Sequence, residues 1–328
     1  MSRSQLGIVR KTALAICAAM LLASLSPATA QTLPQASLGW SVAYSAPQIP
    51  MAGDMNLWKQ AGVDMKIVTF GSGREAFEAL LGGQLDFALA AELPAVTGAM
   101  KSQPFTIVAD LSRFRGNLIT ANFPLSSPSD LAGKKVGTTL GTSSEFLLYT
   151  ALQRAGVKAE IVNAAPSDLL PALLRGDISA ATMFPNFYPA AQKALGDRYH
   201  ELRIPDQTHL ILLATRDITV KHPEVVRATL KALLAADKVI KDNPSVAQDR
   251  IVQGVDGQVT LDQLKAVWPQ YDFECRLDQN LVDLMTLEGG WIAQRGMIKD
   301  VAVSKQFFQG FVDDAPLRAL APARVSFH

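Results

Sequence analysis

The sequence predicts an α/β protein with two similar lobes, each holding a mainly parallel sheet flanked by helices. Three observations predict this fold: strand-like and helix-like segments alternate, glycine turns separate them, and one block of the pattern occurs twice. Alternating strands and helices favour parallel pairing through right-handed crossovers, which places helices on both faces of a sheet. Because ligands bind beyond the carboxyl ends of such strands, two facing lobes predict one binding cleft between them.

The segment FGSGREAFEALLGGQLDFALA (70–90) shows how one unit of the pattern is built. Ser72 can cap a helix, and Glu75, three residues later, can complete a capping box. Gly82 and Gly83 end the helix, because glycine adopts the left-handed conformation of a C-terminal cap at little steric cost. The apolar run at 85–90 then predicts a buried strand.

The same order of parts occurs again further along the chain. QAGVDMKIVTF (60–70) is matched by RAGVKAEIVNA (154–164), and each has a glycine, Gly62 or Gly156, that ends a helix before a strand. ALLGGQLDFALA (79–90) is matched by ALLRGDISAATM (172–183). Two matched blocks in the same order indicate two equivalent lobes. Chance similarity between apolar segments is the alternative.

The lobes are predicted to divide the chain unequally. We expect residues 31–117 and 216–328 in the first lobe and residues 118–215 in the second. The chain is predicted to cross between them twice, at 117–123 and at 210–215, which forms a hinge. The helical patterns of the C-terminal stretch are expected to return to the first lobe and brace it.

Residues 1–30 have the pattern of a secretory signal peptide. Arg3, Arg10 and Lys11 supply the positive charge that precedes an apolar core too short to span a bilayer, and an A-x-A cleavage pattern ends at Ala30. We therefore predict an exported protein that is cleaved after Ala30.

The composition argues against a nucleic-acid surface, which needs a clustered basic excess, because the formal net charge is +1. A hydrophobic content of 48% with 19% charged residues instead indicates a well-packed globular chain. Beyond the signal peptide, Cys275 is the only cysteine, so no intramolecular disulfide can form. A buried, inert thiol is expected there, with a reactive thiol as the alternative.

Catalytic and metal-binding patterns are absent from the sequence. The four histidines, His200, His209, His222 and His328, have neither HExxH spacing nor a cysteine cluster that could hold zinc. No G-x-S-x-G turn and no phosphate-binding G-x-x-x-x-G-K-[ST] loop occurs. We therefore predict no catalytic residues, no metal site and no cofactor.

Several blocks together resemble a known family. The signal peptide, FGSGREAFEALLGGQLDFALAAELPAV, SDLAGKKVGTTLGTSSEFLL and the KHPEVV helix start are similar to periplasmic substrate-binding proteins of ABC importers. The branch is the one that serves sulfonates, taurine, nitrate and pyrimidine thiamine precursors. The resemblance implies a hinged, type II periplasmic binding protein fold. It also implies a monomer that closes over one small solute in the periplasm and delivers it to an ABC permease in the inner membrane.

Two positions depart from the family's pattern. Glu92 matches the glutamate of a common glycine–glutamate pair, but Ala91 replaces the glycine. The run FPNF (184–187) replaces a common Trp-Asp-Pro-Tyr run, which keeps the aromatic character and loses the carboxylate. A cationic ligand group would have rested on that aspartate.

In the second lobe, Thr142, Ser143 and Ser144 are predicted to open a helix whose start binds an anion. Hydroxyls and free backbone N–H groups at a helix start face the positive end of the helix dipole, where anions are held. Simple capping is the alternative, with Glu145 completing a second capping box.

In the first lobe, Ser72 and Gly73 offer the same arrangement. Arg74 lies in the first helical turn, where the dipole opposes a cation, and an anionic ligand beside it would explain this placement. An ion pair of Arg74 with Glu75 or Glu78 is the alternative.

The other predicted ligand contacts are aromatic or polar side chains. We expect contacts from Tyr44, Ser45, Gln48, Glu92, Phe184, Asn186 and Phe187. Arg113 and Arg115, beside the first predicted crossing, are weaker candidates.

The predicted function is the binding of a small organic anion, of the sulfonate or carboxylate type, in the interlobe cleft. Two alternatives stay open. One is an enzyme on the same fold that resembles the thiamine-pyrimidine synthases. The other is a ligand-sensing module of a membrane receptor.

Overall fold

The computed structural model describes residues 32–41, 45–254, 259–296, 298 and 301–327. The predicted signal peptide therefore lies outside the described residues. Within these ranges, no helix combines the length and the apolar character needed to cross a bilayer. Pro34–His328 belongs to one structural unit.

Strands and helices alternate along the described chain. The strands are β1 (Gln35–Ser41), β2 (Asp64–Phe70), β3 (Phe87–Ala91), β4 (Phe105–Phe114), β5 (Leu118–Ala121), β6 (Lys135–Thr138), β7 (Glu160–Asn163), β8 (Ala180–Thr182), β9 (His200–Arg203), β10 (Thr208–Thr215), β11 (Tyr271–Asp272), β12 (Leu277–Asp278) and β13 (Val325–Ser326). The α-helices are α1 (Gln48–Asp54), α2 (Leu57–Ala61), α3 (Gly73–Leu81), α4 (Glu92–Met100), α5 (Ser143–Ala155), α6 (Pro166–Arg175), α7 (Tyr188–Leu195), α8 (Arg216–Lys221), α9 (Pro223–Asp242), α10 (Pro244–Gly254), α11 (Leu261–Val267), α12 (Gln279–Gln294), α13 (Lys305–Gln309) and α14 (Ala315–Leu320).

Two sheets with the same internal order organise these elements. The first has the strand order β11-β4-β10-β3-β1-β2, and the second has the order β9-β5-β8-β6-β7. In the first, β1 pairs in parallel with β2 and β3, while β10 is antiparallel to β3 and β4. In the second, β6 pairs in parallel with β7 and β8, while β5 is antiparallel to β8 and β9. We call the elements around these sheets the first and the second lobe.

The shared order confirms the predicted α/β fold class with two similar lobes. The helix stops of the repeated block also lie where the sequence predicts them. Gly62 and Gly156 follow α2 and α5 in the left-handed conformation, with φ of 102° and 68°. Each turn is followed by an edge strand, β2 or β7.

The predicted crossings are displaced in the structure. The segment predicted as the second crossing, 210–215, lies inside β10, a central strand of the first sheet rather than part of the second lobe. Its apolar run suits a central strand that pairs with a neighbour along each edge and is buried on both faces. Most of the first predicted crossing is β5. The chain instead passes between the sheets at 115–117 and 204–207, and the remaining domain boundaries stay predictions.

Helix α5 belongs to the second lobe but also packs on the first. Its residues Leu148 and Leu152 enter the apolar core of the second sheet, whereas Phe146 enters the core of the first. The Phe146 ring meets Trp291 of α12 edge-on, with 5.4 Å between ring centroids. This contact ties the two lobes together in the described structure.

We predict that Phe146→Ala lowers the free energy of unfolding by about 3–5 kcal/mol, because it removes a buried ring and leaves a cavity against Trp291. Urea denaturation of both proteins measures the change. Leu287→Ala is the control, since Leu287 lies on α12 with 57% of its surface exposed. It should change stability by no more than about 0.5 kcal/mol. Equal effects of the two substitutions would contradict the proposed packing.

Candidate functional site

A cavity of about 90 Å³ lies where segments of the two lobes meet. The first lobe lines it with Ser41, Ser45, Ala46, Gly73, Arg74, Leu89, Ala90, Ala91, Pro94, Phe114, Thr208 and Leu210. The connection to the second lobe and the second lobe itself line it with Asn117, Thr142, Ser143, Ser144, Phe184, Pro185 and Asn186.

Many of the predicted contacts meet in this cavity. They are Ser45, Gly73, Arg74, Thr142, Ser143, Ser144, Phe184 and Asn186. Four others, Gln48, Ser72, Glu92 and Phe187, are not among the lining residues. Tyr44 lies outside the described residues.

The start of α5 presents unused donors to the cavity. The Thr142 hydroxyl donates to the Thr139 carbonyl oxygen at 2.7 Å and does not cap the helix, so the predicted second capping box is wrong. The N–H groups of Ser143 and Ser144 have no acceptor within their own helix, whereas the Glu145 N–H donates to the Thr142 carbonyl oxygen at 2.9 Å. Ser143 is 4% exposed, and its Oγ has no hydrogen-bond partner among the described residues. These donors face the positive end of the helix dipole, which suits an anion.

The start of α3 is already occupied by its own side chains. Ser72 Oγ accepts the Glu75 N–H and donates to the Glu75 carboxylate, both at 3.2 Å. Glu75 also accepts the Gly71 N–H at 3.2 Å, in place of the Ser72 N–H that a capping box would use. Ser72 is therefore a capping residue rather than a ligand contact. Gly73 lets this helix start touch β3, because a Cβ there would lie 2.8 Å from the Ala90 Cα.

Arg74 reaches from the first lobe toward the second. Its Nη1 is 3.0 Å from Glu78 Oε1, as in the alternative that the sequence left open. Its Nε is buried without a hydrogen-bond partner among the described residues. A Cβ at Gly141, in the second lobe, would lie 3.0 Å from the Arg74 Cδ, so the side chain spans the gap between the lobes. The Nε–H group is thus a buried donor that this arginine leaves for a ligand.

Glu92 is buried beside the cavity rather than exposed in a loop. It begins α4, is 1% exposed, and accepts the His209 N–H at 2.8 Å. Burial raises the pKa of the Glu92 carboxyl, and the charge of His209 opposes that rise. The Ser143 hydroxyl makes no hydrogen bond of good geometry, yet it is close enough to lower this pKa.

Arg113, a weaker candidate for ligand binding, is instead an internal ion-pair partner. Its Nη1 lies 2.9 Å from Asp110 Oδ2, and His209 Nδ1 lies 2.7 Å from the same oxygen. Burial lowers the pKa of Arg113, but the charge of Asp110 and hydrogen bonds to Asp272 and Asp110 raise it above its ordinary value. Burial likewise lowers the pKa of His209, but the charge and hydrogen bond of Asp110, together with the charge of Glu92, raise it above its ordinary value.

Gln48 is a structural residue in the core of the first lobe. Its Nε2 lies 2.9 Å from Asp237 Oδ1, 2.8 Å from the Leu111 carbonyl oxygen and 2.7 Å from that of Phe273. Burial raises the pKa of Asp237 to about 7, although the Cys275 N–H and Gln48 both donate to it. The predicted ligand contact at Gln48 is therefore corrected. Phe187 likewise packs against the apolar core of the second lobe.

Sequence reasoning missed the residues at the crossings. Phe114, Asn117, Thr208 and Leu210 line the cavity, and Asn117 Nδ2 donates to Thr208 Oγ1 at 3.0 Å. A signal was present, because Asn117 and Leu210 begin the two predicted crossings. A cavity between two lobes is closed at its base by the segments that connect them.

Within the described ranges, no three His, Cys, Asp or Glu side chains cluster as a metal site would require. Cys275 is fully buried, and burial raises the pKa of its thiol well above the ordinary value. It does not line the cavity. The cavity thus presents hydrogen-bond donors and apolar surface rather than a nucleophile.

Comparison with known proteins agrees with this architecture. The family described as NMT1/THI5 like matches residues 45–247. The taurine-binding periplasmic protein of Escherichia coli (strain K12) is 26% identical over 216 residues, which cover 63% of this chain and 68% of that protein.

Two solved structures illustrate the fold. The alkanesulfonate-binding protein SsuA from Xanthomonas axonopodis pv. citri, bound to MOPS, has a TM-score of 0.73 at 16% identity, covering 85% of this chain and 98% of that one. The periplasmic nitrate-binding protein NrtA from Synechocystis PCC 6803 has a TM-score of 0.70 at 12% identity, covering 89% of each chain. The predicted periplasmic binding protein fold is confirmed.

We predict that Gln48→Ala lowers the free energy of unfolding by roughly 2 kcal/mol or more, because Asp237 and two carbonyl groups lose their buried donor. Gln60→Ala is the matched control, since Gln60 makes one exposed bond to the Met55 carbonyl oxygen. Urea denaturation measures both. A Gln48→Ala protein as stable as the Gln60→Ala protein would show that the cluster has no structural importance.

Proposed function

The chain belongs to the NMT1/THI5-like family, and from this premise we propose that it is an exported solute-binding protein of an ABC importer. Its ligand is a small organic anion with a sulfonate or carboxylate head, held in the cavity between the lobes. The protein acts as a monomer in the periplasm and passes the solute to a permease in the inner membrane.

The observation that carries this proposal is the convergence of unused donors at one end of the cavity. Ser143 Oγ is buried without a partner, and so is Arg74 Nε from the opposite lobe. The N–H groups of Ser143 and Ser144, at the start of α5, lie on the same side of the cavity lining as Ser143 Oγ. Hydrogen bonds between charged and neutral groups are about twice as strong as those between neutral groups, so an anion gains most from these donors.

The rest of the cavity supports an apolar body on the ligand. Leu89, Pro94, Phe114, Phe184 and Leu210 line it. A cavity of about 90 Å³ suits a solute of few heavy atoms. An aliphatic sulfonate or a short carboxylate combines both features, in line with the taurine-binding and alkanesulfonate-binding proteins that this chain resembles.

Binding is favoured over catalysis by the position of the one thiol beyond the signal peptide. Cys275 is fully buried, and burial keeps the pKa of its thiol high, so it stays protonated and unreactive. His209 is also buried, with its ring held by Asp110 at 2.7 Å. Neither residue is among those that line the cavity.

The ligand class is tested by isothermal titration calorimetry with ethanesulfonate, taurine, nitrate, propionate and a neutral amide of similar size. We expect the sulfonates or carboxylates to bind and the amide not to bind. A protein that binds the amide alone, or that converts any of these compounds, would contradict the proposal.

We predict that Arg74→Ala weakens binding of the anion roughly 10- to 100-fold, because it removes a hydrogen bond from a charged donor. Arg318→Ala is the matched control: Arg318 also forms an i,i+4 ion pair, with Asp314, and is not among the residues that line the cavity. It should leave the affinity unchanged. Glu78→Gln should tighten binding, since it frees the Arg74 guanidinium. Equal affinities for all three variants would exclude Arg74 from the site.

A further inference from the structure

Glu288, a residue of α12, places a second buried carboxyl group beside Glu92. The two side chains are 0% and 1% exposed. Helix α12 packs on α4, and the two carboxyl groups lie within hydrogen-bonding reach of one another. Glu92 in turn lies near the hydroxyl of Ser143, a residue that lines the cavity.

The pair can be stable only if it holds a proton. No N–H or O–H group of the described residues donates to either oxygen of Glu288. The neighbouring Glu92 carboxyl accepts the His209 N–H at 2.8 Å, so it already acts as an acceptor. Two ionised carboxylates cannot hydrogen-bond to each other, and like charges that share a buried site cannot both ionise at moderate cost. A proton on Glu288 satisfies both groups.

We propose that Glu288 is a positioning residue of the binding site, which donates its proton to Glu92 and thereby leaves the Ser143 hydroxyl free for the ligand. This inference rests on the proposed binding of an anion. If Glu288 loses the proton, Glu92 requires another donor, and the Ser143 hydroxyl is within its reach. A second negative charge then also stands behind the anion site. Both effects weaken binding of an anionic ligand.

The charged groups around the pair fix the direction of the pH dependence. The charge of His209, on β10, lowers the pKa of Glu92. The His209 ring in turn contacts Asp110, whose Oδ2 also lies 2.9 Å from Arg113 Nη1. From α5, Glu145 is paired with Arg295 at 2.8 Å. Burial raises the pKa of Glu288 well above its ordinary value, and Glu92 raises it further. Because this pKa is raised in the folded state, the stability that the proton confers is present at low pH and is lost as pH rises toward it.

The test measures ethanesulfonate affinity by calorimetry between pH 6 and pH 9, since the sulfonate keeps one charge over this range. The wild-type affinity should fall roughly tenfold or more as pH rises, from the added charge. Glu288→Gln should match the wild type at pH 6, because its amide still donates to Glu92, and should lose most of the pH dependence. His209 titrates in both proteins, so the difference between them isolates Glu288.

Glu160→Gln is the control for the loss of a carboxylate, because the Glu160 side chain on β7 is 62% exposed. It should keep the wild-type pH profile. An unchanged profile in Glu288→Gln, or a flat profile in the wild type, would overturn the inference.

A second measurement needs no ligand. The difference in unfolding free energy between wild type and Glu288→Gln should change between pH 6 and pH 9, with the wild type losing more stability. A constant difference would refute the proton on Glu288. If no anion binds at any pH while this difference does change, the proposed function fails and the protonated carboxyl pair remains.

Discussion

The two-lobed structure depends on one buried carboxylate, Asp110, in the strand that leads to the first crossing. Its Oδ2 receives Arg113 of the same strand and His209 of the neighbouring strand β10. Those strands lead directly into the two crossings between the lobes. Removing one partner of a buried charge pair costs about 3–5 kcal/mol, because the other charge is left unpaired. These contacts of Asp110 therefore hold β4 against β10, and with these two strands the starting points of both crossings.

The two helix starts at the cavity are similar in sequence but not in function. At α3, the Ser72 hydroxyl accepts the Glu75 N–H and the Glu75 carboxylate accepts the Gly71 N–H, so the helix end is capped by its own side chains. At α5, the Glu145 carboxylate likewise accepts the Gly141 N–H at 2.8 Å, but the Thr142 hydroxyl turns to the Thr139 carbonyl oxygen, and the Ser143 and Ser144 N–H groups receive no side-chain cap. The anion-binding capacity of the cleft is thus concentrated in the second lobe. The first lobe contributes Arg74, which spans the gap.

Sequence reasoning predicted the features that local chemistry determines. Helix stops at Gly62 and Gly156, the cap at Ser72 and the cavity-facing turn at 142–144 all follow from residues within a few positions of one another. It failed for Gln48, whose partner Asp237 is 189 residues away. It also offered Arg113 as a weaker ligand candidate and did not single out Glu288, because only the pairing of distant elements shows that these polar groups are buried. A polar side chain in sequence resembles a ligand contact until its internal partner is known.

Helix α5 links ligand contact to the approach of the lobes. Ser143 and Phe146 lie three residues apart, about 4.5 Å along the helix axis, within one turn. The first faces the cavity, and the second packs against Trp291 of the first lobe. Any separation of the lobes that removes Phe146 from Trp291 also withdraws the Ser143 donors from Arg74. A ligand held by both therefore binds this arrangement in preference to an open one, and shifts the population toward it by the difference in affinity.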